Sequence, residues 1–342
     1  AQNGVYYKAD RTASVTVKER NFVNDLGHLY IAVKEKNQTE YSRYTYADLQ
    51  KGYLPGVSVS NYHDGQADYD VTAYDDNRTI TFDLTFSGDN EYDWYCYVED
   101  TNGKSAQTEP DFFVLDKTAP VLKNGGVKYY VDGKDVTAQV ENGSLFTSKE
   151  VKAVVSIDET NFAAEVSGFA DGQMAVNLTA ADNEGNNVDV TEKFIDAMIS
   201  ADSWSNWDEK NGLTREMSMT FGDDANYQFG FTYTDLAGNS VTYNARRFTH
   251  DHTNPTGSVT YDTNAGKETW RTFFDLITFN RFKQTEVPVT FTGEDMTAGV
   301  KSIEYYKAYE PMSYEEIEAL PSRDWTSGTS FTVRPNEQFV PY

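Results

Sequence analysis

Cysteine is all but missing: one residue, Cys96, stands in 342, so no disulfide can form within the chain. Histidine is nearly as scarce, with four residues: His28, His63, His250 and His252. Cations are outnumbered, 29 Lys and Arg against 54 Asp and Glu, for a formal net charge of −25. Phosphate recognition needs clustered Lys and Arg, so this balance argues against nucleic acid or an anionic membrane as partner. So many carboxylates read first as a strongly solvated surface and second as a source of cation ligands. No apolar run is long enough to span a bilayer. The opening "AQNGVYYKAD" has neither the charged n-region nor the apolar h-region of a signal peptide, and the chain is expected to be a piece of something larger. No glycine-rich phosphate loop, Gly-x-Ser-x-Gly elbow or zinc signature occurs, so no catalytic or cofactor residues are nominated and an enzyme is not expected.

Aromatic residues are what the chain has in quantity: 14%, with 24 Tyr and 20 Phe. Many aromatics and few apolar runs fit strands that each bury one face, and the length suggests two or three domains.

The chain repeats itself. "TFSGDNEYDWYCYVEDTNGKS" from Thr85 aligns without a gap on "TFGDDANYQFGFTYTDLAGNS" from Thr220, so Asp100 is matched by Asp235, 135 residues on. The same offset carries "DKTAP" (Asp116 to Pro120) onto "DHTNP" (Asp251 to Pro255). Upstream, "VTVKERNF" from Val15 resembles "VSIDETNF" from Val155 at an offset of 140, which places an insertion of about five residues in a loop. Within each copy the period is two. Tyr92, Trp94, Cys96 and Val98 share one face, as do Tyr227, Phe229, Phe231 and Tyr233, which predicts half-buried strands. Asp100-Thr101-Asn102-Gly103 and Asp235-Leu236-Ala237-Gly238 suit a type I turn with glycine in the left-handed conformation, a hairpin corner. Cys96 occupies the place of Phe231 and reads as a small core residue, shielded from thiol reagents until the chain unfolds.

A third segment, "VPVTFTGEDMTAGVKSIEYYKA" (Val287 to Ala308), again opens with an alternating strand. The sequence ends at "NEQFVPY", about where the tyrosine-bearing strand of the first two copies begins, so the C-terminal strands of this third module are expected to lie outside the sequence. The resulting division is 1–120, 121–255 and 256–342. Helical signals are few: a capping box from Ser313 to Glu316, an amphipathic stretch "TEKFIDAMI" (Thr191 to Ile199), and a single turn near Thr45.

Strands at regular spacing, hairpin corners and proline-containing junctions point to sandwiches of two antiparallel sheets. "YYKADRTASVTVKERNF", the Tyr227–Ser240 word and "FTHDHTNP" resemble the bacterial immunoglobulin-like repeats of large cell-surface proteins of gut Firmicutes. "VTFTGEDMTAGVKSIEYY" is similar to a related repeat type of the same proteins. The resemblance implies an all-β fold of tandem immunoglobulin-like β-sandwich domains with a few short helices in connections. It implies an extracellular, Gram-positive cell-surface location and a monomer that acts as adhesin or display stalk. The implied partner is a host protein or glycan, such as immunoglobulin or a mucosal ligand. The alternative is a set of non-catalytic accessory modules of a larger secreted hydrolase. The sequence departs from antibody domains in that Cys96 has no partner. Tyr92 and Tyr227 resemble a tyrosine corner by analogy, tested by whether each phenol bonds local backbone.

Metal chemistry has three candidates. His250 and His252 are two apart and so share a face on a strand, within reach of one ion; the bland reading is exposed linker histidines. "ADNEGNNVD" (Ala181 to Asp189) looks like a calcium loop only superficially, since its glycine is misplaced. The better calcium candidate is the junction between modules, where Asp116 and Asp251 precede the linker prolines and Glu294 or Asp295 could approach. Trp204 and Trp207 could form a sugar platform, with cover for a core edge as the plainer reading.

Overall fold

The computed structural model describes residues 5–20, 28–159, 173–205, 214–261, 286–335, 337–338 and 340–342. The fold is all-β and of sandwich type, as the alternation predicts.

In the first copy the strands are β1 (Tyr6–Tyr7), β2 (Arg11–Glu19), β3 (Tyr30–Glu35), β4 (Ser42–Thr45), β5 (Val57–Asp64), β6 (Arg78–Phe86), β7 (Asn90–Glu99), β8 (Ser105–Gln107) and β9 (Asp111–Leu115). One sheet runs β1-β9-β7-β3-β4 with β8 beside β7, and the other runs β2-β6-β5. β6 shows why these residues make a strand: its side chains alternate between buried and half-buried along the whole length. Val15, Ile80, Phe82, Leu84 and Phe86 from one sheet meet Ile31, Val33, Tyr92, Trp94, Cys96 and Phe113 from the other in a single core.

The second copy has β10 (Val121–Val131), β11 (Lys134–Asp135), β12 (Phe146–Thr147), β13 (Val151–Asp158), β14 (Met174–Ala181), β15 (Thr214–Phe221), β16 (Ala225–Thr234) and β17 (Ser240–His250). Its sheets run β12-β17-β16-β14 and β11-β10-β13-β15. The copies fold alike down to register. Tyr92 on β7 faces Phe113, and Tyr227 on β16 faces Phe248, the residues 135 further on. In each copy a short strand pairs parallel with the last long one, Tyr6 with Val114 and Phe146 with Thr249. The aromatic centre is duplicated too: Phe86 meets Tyr92 edge-on at 5.0 Å between centroids, and Phe221 meets Tyr227 at 4.9 Å. Phe86 and Phe221 are fully buried, and truncation of either to alanine costs about 3–5 kcal/mol of cavity and transfer energy.

Both tyrosines form the corner. Tyr92 Oη donates to Gly88 O and Tyr227 Oη to Asp223 O, each at 2.9 Å, four residues back along the chain. Both predicted hairpin turns close as expected, with Gly103 at φ 74° and Gly238 at φ 92°.

The third segment pairs β18 (Thr256–Tyr261) with β19 (Val287–Glu294), and β19 with the strand Ser330–Val333. Val289, Phe291 and Tyr305 form its small core, with Phe331 against it. The helices anticipated at Tyr46–Gln50, Thr191–Ile199 and Tyr314–Glu318 are present. The first and last carry full capping boxes, from Thr45 to Asp48 and from Ser313 to Glu316. A fourth, Thr137–Glu141, has no side-chain cap and gave no sequence signal.

Candidate functional site

Chemistry-bearing side chains gather where one copy meets the next. At the first junction, Asp116 follows the end of β9; its N–H donates to Tyr7 O at 2.9 Å, and its Oδ1 accepts from the Thr118 N–H at 3.0 Å. Across the junction stands the Asp235–Gly238 corner between β16 and β17. Asn239 Nδ2 donates to Asp116 O, and Lys8 Nζ donates to Gly238 O, both at 2.9 Å. Leu236 and Ala237 are buried there, with Tyr6 packed against them. The matching tip in the first copy, Thr101-Asn102-Gly103, is exposed. Apolar residues occupy the covered tip and polar ones the open tip, which is what burial dictates.

Asp116, Glu159 and Asp235 bring ligand oxygens within 4.8 Å of one another, all three residues buried. Tyr233 lies in the field of these carboxylates and of Arg215, and burial, reinforced by the carboxylates, pushes its phenol far above the usual range. Burial also raises the Asp235 carboxyl, against the pull of Asn239 and of the Gly238 and Ala237 N–H groups. Carboxylate oxygens so placed are the donor class that a hard cation takes, and their charge also suits the Arg215 guanidinium or a shared proton. Sequence reasoning named Asp116 at this junction but placed Asp235 in a plain corner and Glu159 in a core word. The signal for Glu159 was its place in "VSIDETNF", where it matches Glu19.

At the second junction, Asp251 Oδ2 accepts from the Ala298 N–H at 3.0 Å. Asn183 N–H donates to Met296 O and Asn226 Nδ2 to Thr297 O, each at 2.8 Å, while Asn183 Nδ2 bonds Asp295 O. Asp295 thus reaches the junction as the sequence suggested, whereas Glu294 is exposed on β19. Burial opposes the charge on Asp295, but the Thr297, Gly299 and Ala298 N–H groups and Asp251 outweigh it and hold its carboxyl below the usual range. The Asp182 loop is no calcium loop in geometry: Oδ1 accepts from the N–H groups of Glu184 at 2.9 Å and Asn186 at 2.8 Å. Asp100 binds the N–H groups of Asn102 and Lys104 in the same way.

Only one of the two histidines lies in the exposed linker: His252 does, and His250 does not. His250 ends β17 with its side chain 3% exposed, while that of His252 is 64% exposed. Nδ1 of each faces the same oxygen, Asp224 Oδ1, at 3.5 Å for His250 and 2.5 Å for His252. His250 Nδ1 also lies 3.2 Å from Asp223 O. Burial works against the Asp224 charge, but Thr253 Oγ1 and the His252 N–H bind it and hold its carboxyl below the usual range.

Trp204 is a core residue, buried, with its Nε1 donating to Met198 O at 3.0 Å. Trp207 lies outside the described residues. His28 and His63 are exposed. Cys96 is buried, and burial pushes its thiol up to about 11.

No protein-family model matches the chain, and no curated protein does. Among solved structures, dimeric latent PorU from Porphyromonas gingivalis aligns over 100% of this chain and 29% of that one, with 10% identity and a TM-score of 0.23. A likeness at that score carries no argument.

Proposed function

We propose that the chain is an extracellular, non-enzymatic run of immunoglobulin-like modules from a bacterial cell surface, which displays or carries binding surfaces away from the wall. The observation that supports this reading most is the duplicated junction. Asp116 and Asp251 close the same turn in successive copies, binding the Thr118 and Thr253 N–H groups at 3.0 Å, and each faces the next segment. Side chains that join successive copies at matching positions limit the bend between them, as a display stalk requires. The repeated words occupy strands, corners and junctions, so the duplication preserved packing. The partner class in this reading is a host protein or glycan, with immunoglobulin and mucosal ligands as first candidates.

Small-angle scattering and a pull-down from serum and mucin test it together. An extended envelope of narrow spread, with a specific host ligand retained, supports the stalk. Freely hinging beads would remove the rigid-joint basis, and turnover of a captured glycan or protein would replace the binding role with an enzymatic one.

A further inference from the structure

The two junctions are close copies, which makes the residues that differ informative. Leu115 pairs with Asn90 in the first copy, and His250 pairs with Ala225 in the second, at the same register position. Leu115 is fully buried and apolar, yet an imidazole fills that place in the second copy. Lys117 and His252 also correspond. Lys117 N–H donates to Asp89 Oδ1 at 3.0 Å, and His252 N–H to Asp224 Oδ1 at 2.8 Å. Thr118 and Thr253 complete the match by donating Oγ1 to the other oxygen of the same aspartates. The Asp224 position is therefore common architecture. The two imidazoles are the addition, and nothing in the shared frame calls for either.

Their placement converges. Two Nδ1 atoms, the Asp224 carboxylate and the Asp223 carbonyl oxygen form one electron-rich cluster, with the imidazole rings 5.8 Å apart between centroids. Such a group needs protons or a cation in its midst. Two imidazoles with one carboxylate are ligands of the borderline class that selects zinc, copper or nickel, whereas calcium takes all-oxygen sets. Ligands about 2.0 Å from a tetrahedral ion stand roughly 3.3 Å apart. His250 Nδ1 already sits 3.5 Å from Asp224 Oδ1, and His252, at 2.5 Å, is exposed enough to withdraw by the remainder.

We propose that Asp224, His250 and His252 form a binding site for a divalent transition-metal ion of the zinc class, present at the second junction and not the first. The buried His250 supplies the fixed ligand, Asp224 the charge, and His252 the adjustable arm. Water can fill the remaining position, since the site opens to solvent at His252.

The first copy supplies the test variants. His250→Leu and His252→Lys each install the counterpart residue, which the same frame already accommodates. The full chain is titrated with cobalt(II) and followed by visible absorption, then with zinc by calorimetry. The expected result is one ion per chain, four-coordinate cobalt bands, affinity weakened on the order of tenfold or more in His252→Lys, and no bands in His250→Leu. The double variant measures what a chain of net charge −25 collects without a site. Wild-type binding no tighter than that of the double variant would overturn the proposal, and would mean that the imidazoles only share protons with Asp224. Binding unchanged in the exposed-site variant His252→Lys would overturn it equally, even if His250→Leu failed to fold.

Discussion

Asn239 Nδ2 lies 2.9 Å from the carbonyl oxygen of Asp116, 123 residues earlier in the chain. The same amide nitrogen holds Asp235 Oδ2 at 2.9 Å, so one side chain fixes its own turn and ties that turn to the preceding copy. Its counterpart in the first copy is Lys104, whose N–H closes the turn on Asp100 at 2.8 Å.

Replacement of Asn239 by Ala removes both bonds while the backbone N–H groups of Gly238 and Asn239 keep the corner closed. The expected cost is about 2–4 kcal/mol, the net worth of one neutral and one charge-assisted hydrogen bond. Because one bond crosses the junction, the scattering envelope should broaden as well. A melting shift with an unchanged envelope would mean that Leu236, Ala237 and Lys8 hold the joint without Asn239.

The paired corners give a matched experiment. Tyr92→Phe and Tyr227→Phe each delete one phenol-to-carbonyl bond, for an expected loss of about 1 kcal/mol apiece. Alkali tests the same residues. Burial, with Glu35 and Asp89 nearby, pushes the Tyr92 phenol up to about 12. A phenol with a raised value in the folded state adds stability that is fully present below its unfolded value near 10. That stability is lost as pH rises toward 12. Absorbance at tyrosinate wavelengths should therefore show Tyr92 ionising together with unfolding. A Tyr92→Phe chain that unfolds at the same alkaline pH would sink the assignment.

Much of this was legible in the sequence, because strand alternation, turn chemistry and an internal repeat each have local causes. The Tyr92 and Tyr227 strands, the Asp100 and Asp235 corners and the Ser313 cap follow from a few neighbouring residues each. What was not legible depended on which surface the next copy covers. Asp235 and Asp100 look alike in sequence, and only Leu236 and Ala237 in place of Thr101 and Asn102 marked the buried one. His250 read as a linker residue because it stands in the junction before Pro255; β17 in fact runs through it. Glu159 stood in a repeated word whose apolar residues explained it well enough to hide its charge.

Cys96 tests the core of the first copy. It is buried on β7, and burial alone lifts its thiol to about 11, so the reactive thiolate is scarce at neutral pH. A disulfide-exchange reagent should label the native chain at the rate of unfolding and the denatured chain at once. Cys96→Ser places a hydroxyl among apolar neighbours and is expected to cost about 1–3 kcal/mol. Rapid stoichiometric labelling under native conditions would contradict this packing.

The two copies share a bulge but fill it differently: in the first, Trp94 faces Asp111 while Tyr97 faces Gln107, a slip of one residue. Pairing between β16 and β17 slips between Phe229 and Phe231, and the residue there is Gly230. A Cβ at Gly230 would stand 2.7 Å from Ala245 N and 2.8 Å from Tyr243 O, backbone atoms that cannot swing aside. Cys96 holds the position of Phe231 and Tyr95 that of Gly230, so the first copy carries a full side chain where the second cannot. Gly230→Ala should therefore cost more than the usual strand preference, about 1–3 kcal/mol from overpacking. Its effect should concentrate on Tyr243, whose Oη donates to Glu141 at 2.9 Å. Denaturant melts compared with Tyr95→Ala, the corresponding site on β7, separate the two cases. If Gly230→Ala proves as mild as an exposed-strand substitution, the close approach of the Ala245 backbone is not what the glycine is there to permit.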